Sequence, residues 1–341
     1  MQHKRIHNID ILKGLGVLLV ILGHLNLPSG IKSIIYVFHM PLFFFLSGTL
    51  WKNKETKMNL NGYIKHMLDS LIYPYVVWNG VEICIHVIKC IIGKETVGLL
   101  FKRVIAVIMG VRSVVPYDSQ NYLGLLWFFP ALFSANVLYF LFRKGKIVVP
   151  GIIACTIAGN IYANVVAEKV RLPFCLDVSL LCIWFIWIGE IVGQYGKNVS
   201  RIKQFLAIIG VGLCLVFEYF IRIDVDLIRL RISSPLLFYI ISSLICVGLY
   251  IGTYSMKAKY LEVIGESSAF YLVLQSYGKQ LCAVVFLILS KWCTVDFRDC
   301  TIVYFISIAS VTSLFVFIIK RKCNWMIKRP LKMVLSERGD V

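Results

Sequence analysis

Three ionisable side chains stand in apolar surroundings near the start of the chain. Lys13 and His24 lie in IDILKGLGVLLVILGHL, and His39 follows in VFHMPLFFFLSG. Eleven positions on an α-helix advance three full turns plus about 20°, so Lys13 and His24 share one face about 16 Å apart along the axis. Histidine is the side chain best suited to take a proton near neutral pH. A lysine at the other end of the stripe can hold an anion. All six histidines (3, 7, 24, 39, 66 and 86) fall in the first quarter of the chain, and 24, 39 and 86 lie within apolar runs. Purely structural roles exist for each group. Lys13 sits about one turn inside the boundary and could snorkel to the surface, paired with Asp10 at i−3. His24 could hydrogen-bond a neighbouring helix. His39 could orient structure beside Pro41, which removes a helical hydrogen bond and frees the carbonyl of Val37. Three such groups in two consecutive spans argue for function, because ionisable groups inside a membrane are costly.

The elements that must position them are membrane helices. The chain of 341 residues is 59% hydrophobic with only 16% charged residues, and its mean hydropathy is +0.79. That excludes a soluble domain of this length. Ten runs approach the length of a span: 9–27, 34–50, 71–92, 122–142, 147–167, 173–193, 203–222, 235–254, 264–290 and 301–319. An eleventh stretch, 97–111, is short and carries Lys102 and Arg103, which suits an interfacial or partly inserted position. The expected fold is an all-α polytopic bundle of about ten transmembrane helices over 1–320, followed by a basic tail, 321–341. The first run lacks a small-x-small cleavage pattern and reads as a retained span. No internal repeat is visible.

The net charge of +18 does not indicate nucleic acid, because it sits in loops between apolar runs and not on one face. With both termini cytoplasmic, the larger share of Lys and Arg falls inside, including Lys52 to Lys65, Arg143 to Lys146 and the tail from Lys320. The tail suits an anchor at the inner lipid surface. The eleven cysteines form no C-x-x-C pair and mostly read as small buried hydrophobes, not zinc ligands or a disulfide framework. Cys293 and Cys300 flank an outer loop and could pair. No metal site and no resident cofactor are expected.

Other embedded polar groups have local explanations. Glu82 and His86 stand at i,i+4 and could pair, as could Glu218 and Arg222. Glu190, in WIGE, has no sequence-local partner and is a candidate for a cavity lining. Trp127, beside Phe128 and Phe129, belongs either to an interface belt or to a stacking surface for sugar or donor. Glu266 and Ser267 could cap the ninth span.

The opening stretch resembles the acyltransferase 3 family of bacterial membrane O-acyltransferases. The likeness rests on the basic-x10-His element from Lys13 to His24 and on FHMPLFFFLSG at 38–48. It extends through LIYPY (71–75), LWFFPALF (126–133), LPFCLD (172–177), F-x-x-I-G (185–189) and IGESSAFYL (264–272). The resemblance implies O-acylation, usually O-acetylation, of a saccharide hydroxyl on an envelope glycan or lipid-linked precursor, with acetyl-CoA as donor. It implies His24 as the catalytic histidine, Lys13 as its basic partner and His39 as a second motif histidine. It also implies a multi-pass protein of the bacterial plasma membrane, working beside polysaccharide-biosynthesis partners. Donor phosphates would meet Lys13 and Lys65. Two departures stand out. Many relatives carry Y-L-L-H where this chain has Tyr271 to Gln275, so Gln275 stands as a neutral hydrogen-bonding substitute. Many relatives carry Arg before the Pro-Tyr element, where the nearest basic residues here are Lys65 and His66. Some relatives also carry a soluble esterase-like domain after this region; here direct transfer, or transfer with a partner, is expected.

A transporter or flippase of a lipid-linked saccharide would share the helical bundle and polar interior. It needs no fixed basic-x10-His stripe, which favours the enzyme. A membrane sensor or scaffold has no positive support. If Lys13 holds the anionic donor, Lys13→Arg retains more acyl transfer than Lys13→Ala when both are measured on membranes matched for inserted protein.

Overall fold

The computed structural model describes residues 7–51, 58–118, 120–195, 199–291 and 298–327. It is helical almost throughout, and extended backbone among these residues is confined to Val225–Asp226 and Arg231–Ile232. The helices are α1 (His7–Gly23), α2 (Ser29–Thr49), α3 (Leu60–Met67), α4 (Tyr73–Ile91), α5 (Val97–Met109), α6 (Phe128–Lys144) and α7 (Val148–Val165). They continue with α8 (Leu176–Tyr195), α9 (Arg201–Ile221), α10 (Pro235–Gly252), α11 (Lys259–Glu266), α12 (Ser268–Leu289) and α13 (Thr301–Lys322). A wide turn at Leu68–Ile72 joins α3 to α4.

Eight helical stretches are long and apolar enough to cross a membrane. Helices α1 and α6, at 17 residues each, fall just short of that length. The ten expected runs thus correspond to ten long helices among the described residues, with changes of boundary. The run at 122–142 becomes helical only at Phe128, because Asn121 closes a turn first: its side chain bonds Leu123 N and Gly124 O, and Gly124 takes φ +56. The run at 264–290 divides at Ser267 into α11 and α12. The short stretch 97–111 is α5, capped by Thr96 at its start and by left-handed Gly110 at its end.

Apolar side chains face outward on several helices. On α9, Ile202, Phe205, Leu206, Leu213, Val216 and Phe220 are all more than half exposed. A water-soluble helix buries that stripe; a helix in lipid does not need to.

The described residues form two compact units. The first comprises α1, α2, the end of α8, and α9 to α13; the second comprises α3 to α7 and the start of α8. In the first, α1 is buried nearly all round and packs against α2, α11, α12 and α13. Small residues set these approaches. A Cβ on Gly265 would lie 1.8 Å from Asp10 O, and one on Gly14 would lie 2.2 Å from Leu261 O. Backbone therefore meets backbone where α1 crosses α11, as is common where lipid offers no hydrophobic drive for helix association. Gly189 does the same for α8 and α2: its Cβ would lie 2.0 Å from Phe45 O.

The second unit is held by aromatic packing and backbone capping. Tyr63 stacks on Phe140 at 4.3 Å, and Trp51 lies edge-on to Tyr139. The Tyr75 hydroxyl donates to Val107 O at 2.7 Å. Cys175 N donates to Gly110 O at 2.9 Å, Ser134 Oγ to Phe174 O and Ser179 Oγ to Ala131 O. These bonds hold Phe174 and Cys175 at positive φ (53° and 47°), a conformation that costs about 1–3 kcal/mol per non-glycine residue.

Gly265→Ala should destabilise the protein by roughly 1–3 kcal/mol, the usual cost of overpacking a close contact. Gly210→Ala in α9, where a Cβ meets nothing within 4 Å, should be neutral or stabilising. Thermal unfolding of both variants in detergent checks the contrast.

Candidate active site

Helix α1 ends one residue before His24. The last turn tightens, with His24 N bonding Ile21 O at 3.3 Å and Leu25 N bonding Leu22 O at 3.0 Å. The helix is thus shorter than the apolar run, and His24 stands at its rim with its side chain exposed. The loop that carries it is tied to the far end of the sequence. Lys279 Nζ donates to His24 O at 2.6 Å, and Thr301 Oγ1 donates to Asn26 O at 3.3 Å. Beneath it, Ile21 and Leu25 pack with Cys282, Tyr304 and Ile308.

His39 is buried in α2. Its Nδ1 lies 2.7 Å from Ile35 O. A carbonyl only accepts, so Nδ1 carries the proton and Nε2 keeps its lone pair. The Tyr36 ring lies 5.2 Å from the His39 ring, and the Tyr36 hydroxyl donates to Gly23 O at 3.3 Å. One tyrosine thus joins α2 to the residue before His24. His24 and His39 are linked through Tyr36, whose ring meets one and whose hydroxyl bonds the residue before the other. Pro41 leaves Val37 O without its helical donor, and Ser242 Oγ of α10 supplies one at 2.5 Å.

Lys13 lies toward the opposite end of α1. Its Nζ is 3.8 Å from Asp10 Oδ1, and its side chain is 29% exposed, so the expected i,i+3 pair forms. Around it, His7 Nδ1 pairs with Glu262 at 3.0 Å and Lys320 Nζ donates to Ser267 Oγ at 2.9 Å. Ser267 therefore accepts from α13 and makes no side-chain cap for α12, contrary to the capping role expected of Glu266 and Ser267.

Asp10, Glu190 and Gln275 belong to the same unit as these histidines, whereas Lys65 and Trp127 belong to the other. Glu190 is buried and, against the sequence reading, has a local partner: Gln194 Nε2 donates to Oε1 at 2.8 Å, one turn further on. Gln275 is buried in α12 with Nε2 donating to Leu272 O at 3.2 Å. Lys65 is exposed on α3. Trp127 is buried against Phe128, which argues against a lipid-facing belt position, since a belt residue exposes its ring.

The Glu218 to Arg222 ion pair does not form. Arg222 turns left-handed (φ 56°) to end α9, and its Nε donates to Tyr219 O at 3.4 Å. Glu218, fully buried, instead accepts from Ser33 Oγ and from Ile223 N at Oε1. The Glu82–His86 pair forms at 3.9 Å, with Glu95 closer at 2.5 Å. The hydrogen bond from His86 holds the loop carboxyl of Glu95 below the usual carboxylate range. Cys293 lies outside the described residues, so its pairing with Cys300 has no structural account.

Sequence reasoning passed over Arg171, Ser242 and Lys279. Arg171 Nε donates to Asp177 Oδ2 at 2.6 Å, with both side chains largely buried. A lone Arg six residues before the Asp of LPFCLD is the available signal for that pair. Ser242 could have been sought as the donor that Pro41 demands, but its place 205 residues downstream leaves no local sign.

A family model, the acyltransferase domain of the acyltransferase 3 type, matches residues 6–321. The chain belongs to this acyltransferase family. Neither curated proteins nor solved structures yield a match. The matched region takes in every described helix from α1 through nearly all of α13, and with them His24, His39 and Lys13. The chain is thus a multi-pass membrane acyltransferase.

Ser242→Ala leaves Val37 O unsatisfied and should cost about 1–3 kcal/mol, the penalty for an orphaned buried acceptor. Pro41→Ala restores the N–H that Val37 O lacks. In that background Ser242→Ala should cost markedly less, which a double-mutant thermal unfolding cycle measures.

Proposed function

We propose that this acyltransferase moves an acetyl group from cytoplasmic acetyl-CoA to a saccharide hydroxyl of an envelope glycan or its lipid-linked precursor. The single observation that carries the reading is the histidine pair at the rim of α1, one ring exposed and the other with its tautomer fixed, with Lys13 on the same helix toward the other end. With both termini cytoplasmic, Lys13 lies toward the donor side. Its ammonium meets the anionic part of the CoA, and the extended pantetheine arm spans roughly the rise of α1, about 1.5 Å per residue.

In this reading His24 is the general base. One ring nitrogen takes the proton of the acceptor hydroxyl as the oxygen attacks the thioester carbonyl. The C–S bond then breaks, and the departing thiolate takes that proton back from the imidazolium. A transient acyl-histidine is the covalent variant of the same step. His39 is a positioning residue. Its Nδ1 proton is held by Ile35 O, which leaves the Nε2 lone pair to steady the His24 imidazole as it takes the proton. The logic is that of a base held by a third group.

His24→Ala should abolish incorporation of labelled acetate into envelope glycan while the protein remains inserted. Substantial retained incorporation refutes the assignment. His39→Ala should lower kcat more than it raises KM and should displace the pH profile of kcat. Export of the unmodified glycan should continue in both variants, whereas glycan trapped inside would indicate transport of a lipid-linked saccharide.

A further inference from the structure

Two lysines stand by the loop that carries His24, and the transfer chemistry above does not use them. Lys279 projects from α12, an otherwise apolar helix, and spends one N–H on the His24 carbonyl. The other two N–H groups of a lysine remain to be used. Lys32, exposed at the start of α2, sits 5.5 Å from the centre of the Tyr36 ring. That is the same ring that reaches Gly23 O and lies against His39. Both lysines are thus joined to the end of α1, Lys279 through the His24 carbonyl and Lys32 through the Tyr36 ring whose hydroxyl bonds Gly23 O. Of the nearby carboxylates, Asp226 is within range of His24, while Glu218 is fully buried and engaged by Ser33 and Ile223 N.

Two like charges held beside one another repel, and the arrangement is favourable only when an anion sits between them. A lysine spent on a loop carbonyl at a membrane rim is equally expensive unless the remaining donors are used. Several diverging N–H groups suit a tetrahedral anion with several acceptor oxygens. A neutral sugar ring gives them nothing comparable.

We propose that Lys279 and Lys32, beside His24, bind the phosphate through which the acceptor is linked to its lipid. The substrate class is then a phosphate-linked lipid saccharide, modified before the saccharide is released from its carrier, and not a finished neutral polymer. This assignment rests on the acyl-transfer reading for its purpose, but its phosphate site can be tested without any acyl transfer.

The test is binding of geranylgeranyl diphosphate, compared with the neutral alcohol geranylgeraniol, to the full chain in phosphatidylcholine nanodiscs. The diphosphate should bind at least about tenfold more tightly than the alcohol, since charge-assisted contacts are the strong ones. That advantage should shrink about tenfold in Lys32→Gln and in Lys279→Gln, and should survive in Lys32→Arg. Lys32 is exposed, so its variants separate loss of the site from loss of the fold. An advantage unchanged in Lys32→Gln overturns the proposal, as does equal binding of the alcohol. Nanodiscs containing phosphatidylglycerol distinguish the two sources of phosphate. Undiminished binding of the diphosphate supports the acceptor site, and full displacement by the headgroup overturns it. If diphosphate binding follows the lysines while no acyl group is transferred, the acyl-transfer reading fails and the phosphate site stands.

Discussion

Direct backbone contact between α1 and its neighbours is the constraint on which the site depends. Gly14 and Gly265 bring α1 and α11 so close that a single methyl group would collide with a main-chain carbonyl. Lipid is as apolar as leucine, so close fit rather than hydrophobic exclusion holds such helices together. The contact fixes the end of α1 that carries Lys13. Because α1 is a rigid rod, it also fixes where the rod ends, and therefore where His24 stands. Gly189 against Phe45 plays the same part for α2, the helix that carries His39.

On this frame, polar atoms in an apolar setting are satisfied one by one. Val37 O, left open by Pro41, takes Ser242. Glu218 turns inward to Ser33 and Ile223 N, while its Oε2 has no partner among the described residues. Arg171 and Asp177 neutralise one another. His39 spends its Nδ1 proton on Ile35 O. His24 differs from these because its ring remains exposed, which is why the proposed chemistry is placed there.

Much of this was legible in the residues. Hydropathy alone marks the long helices, since crossing a bilayer imposes a length that no loop imitates. The pairing of Lys13 with Asp10 is local, and it forms. The reading erred where a fine balance of local bonds decides. Asn121 and Gly124 turn the chain before Phe128, a left-handed Arg222 breaks an ion pair that spacing alone would make, and the tightened last turn of α1 sets His24 at the rim. Gln194 was overlooked as the partner of Glu190 although it stands one helical turn away. What could not be read at all was partnership over distance. Nothing near Pro41 announces Ser242, and nothing near His24 announces Lys279, because such bonds depend on packing that couples helices far apart in the chain.

The clamp on the His24 loop has a consequence for the life history of the protein. His24 emerges early in synthesis, yet the groups that hold its loop, Lys279 and Thr301, lie 255 and 275 positions beyond their partners. A nascent chain with only its first helices inserted carries the histidine without the fastening. The loop is therefore fastened only at the close of biogenesis, when the last two helices lock onto the first. A chain that stalls or is cleaved before them carries this histidine unfastened.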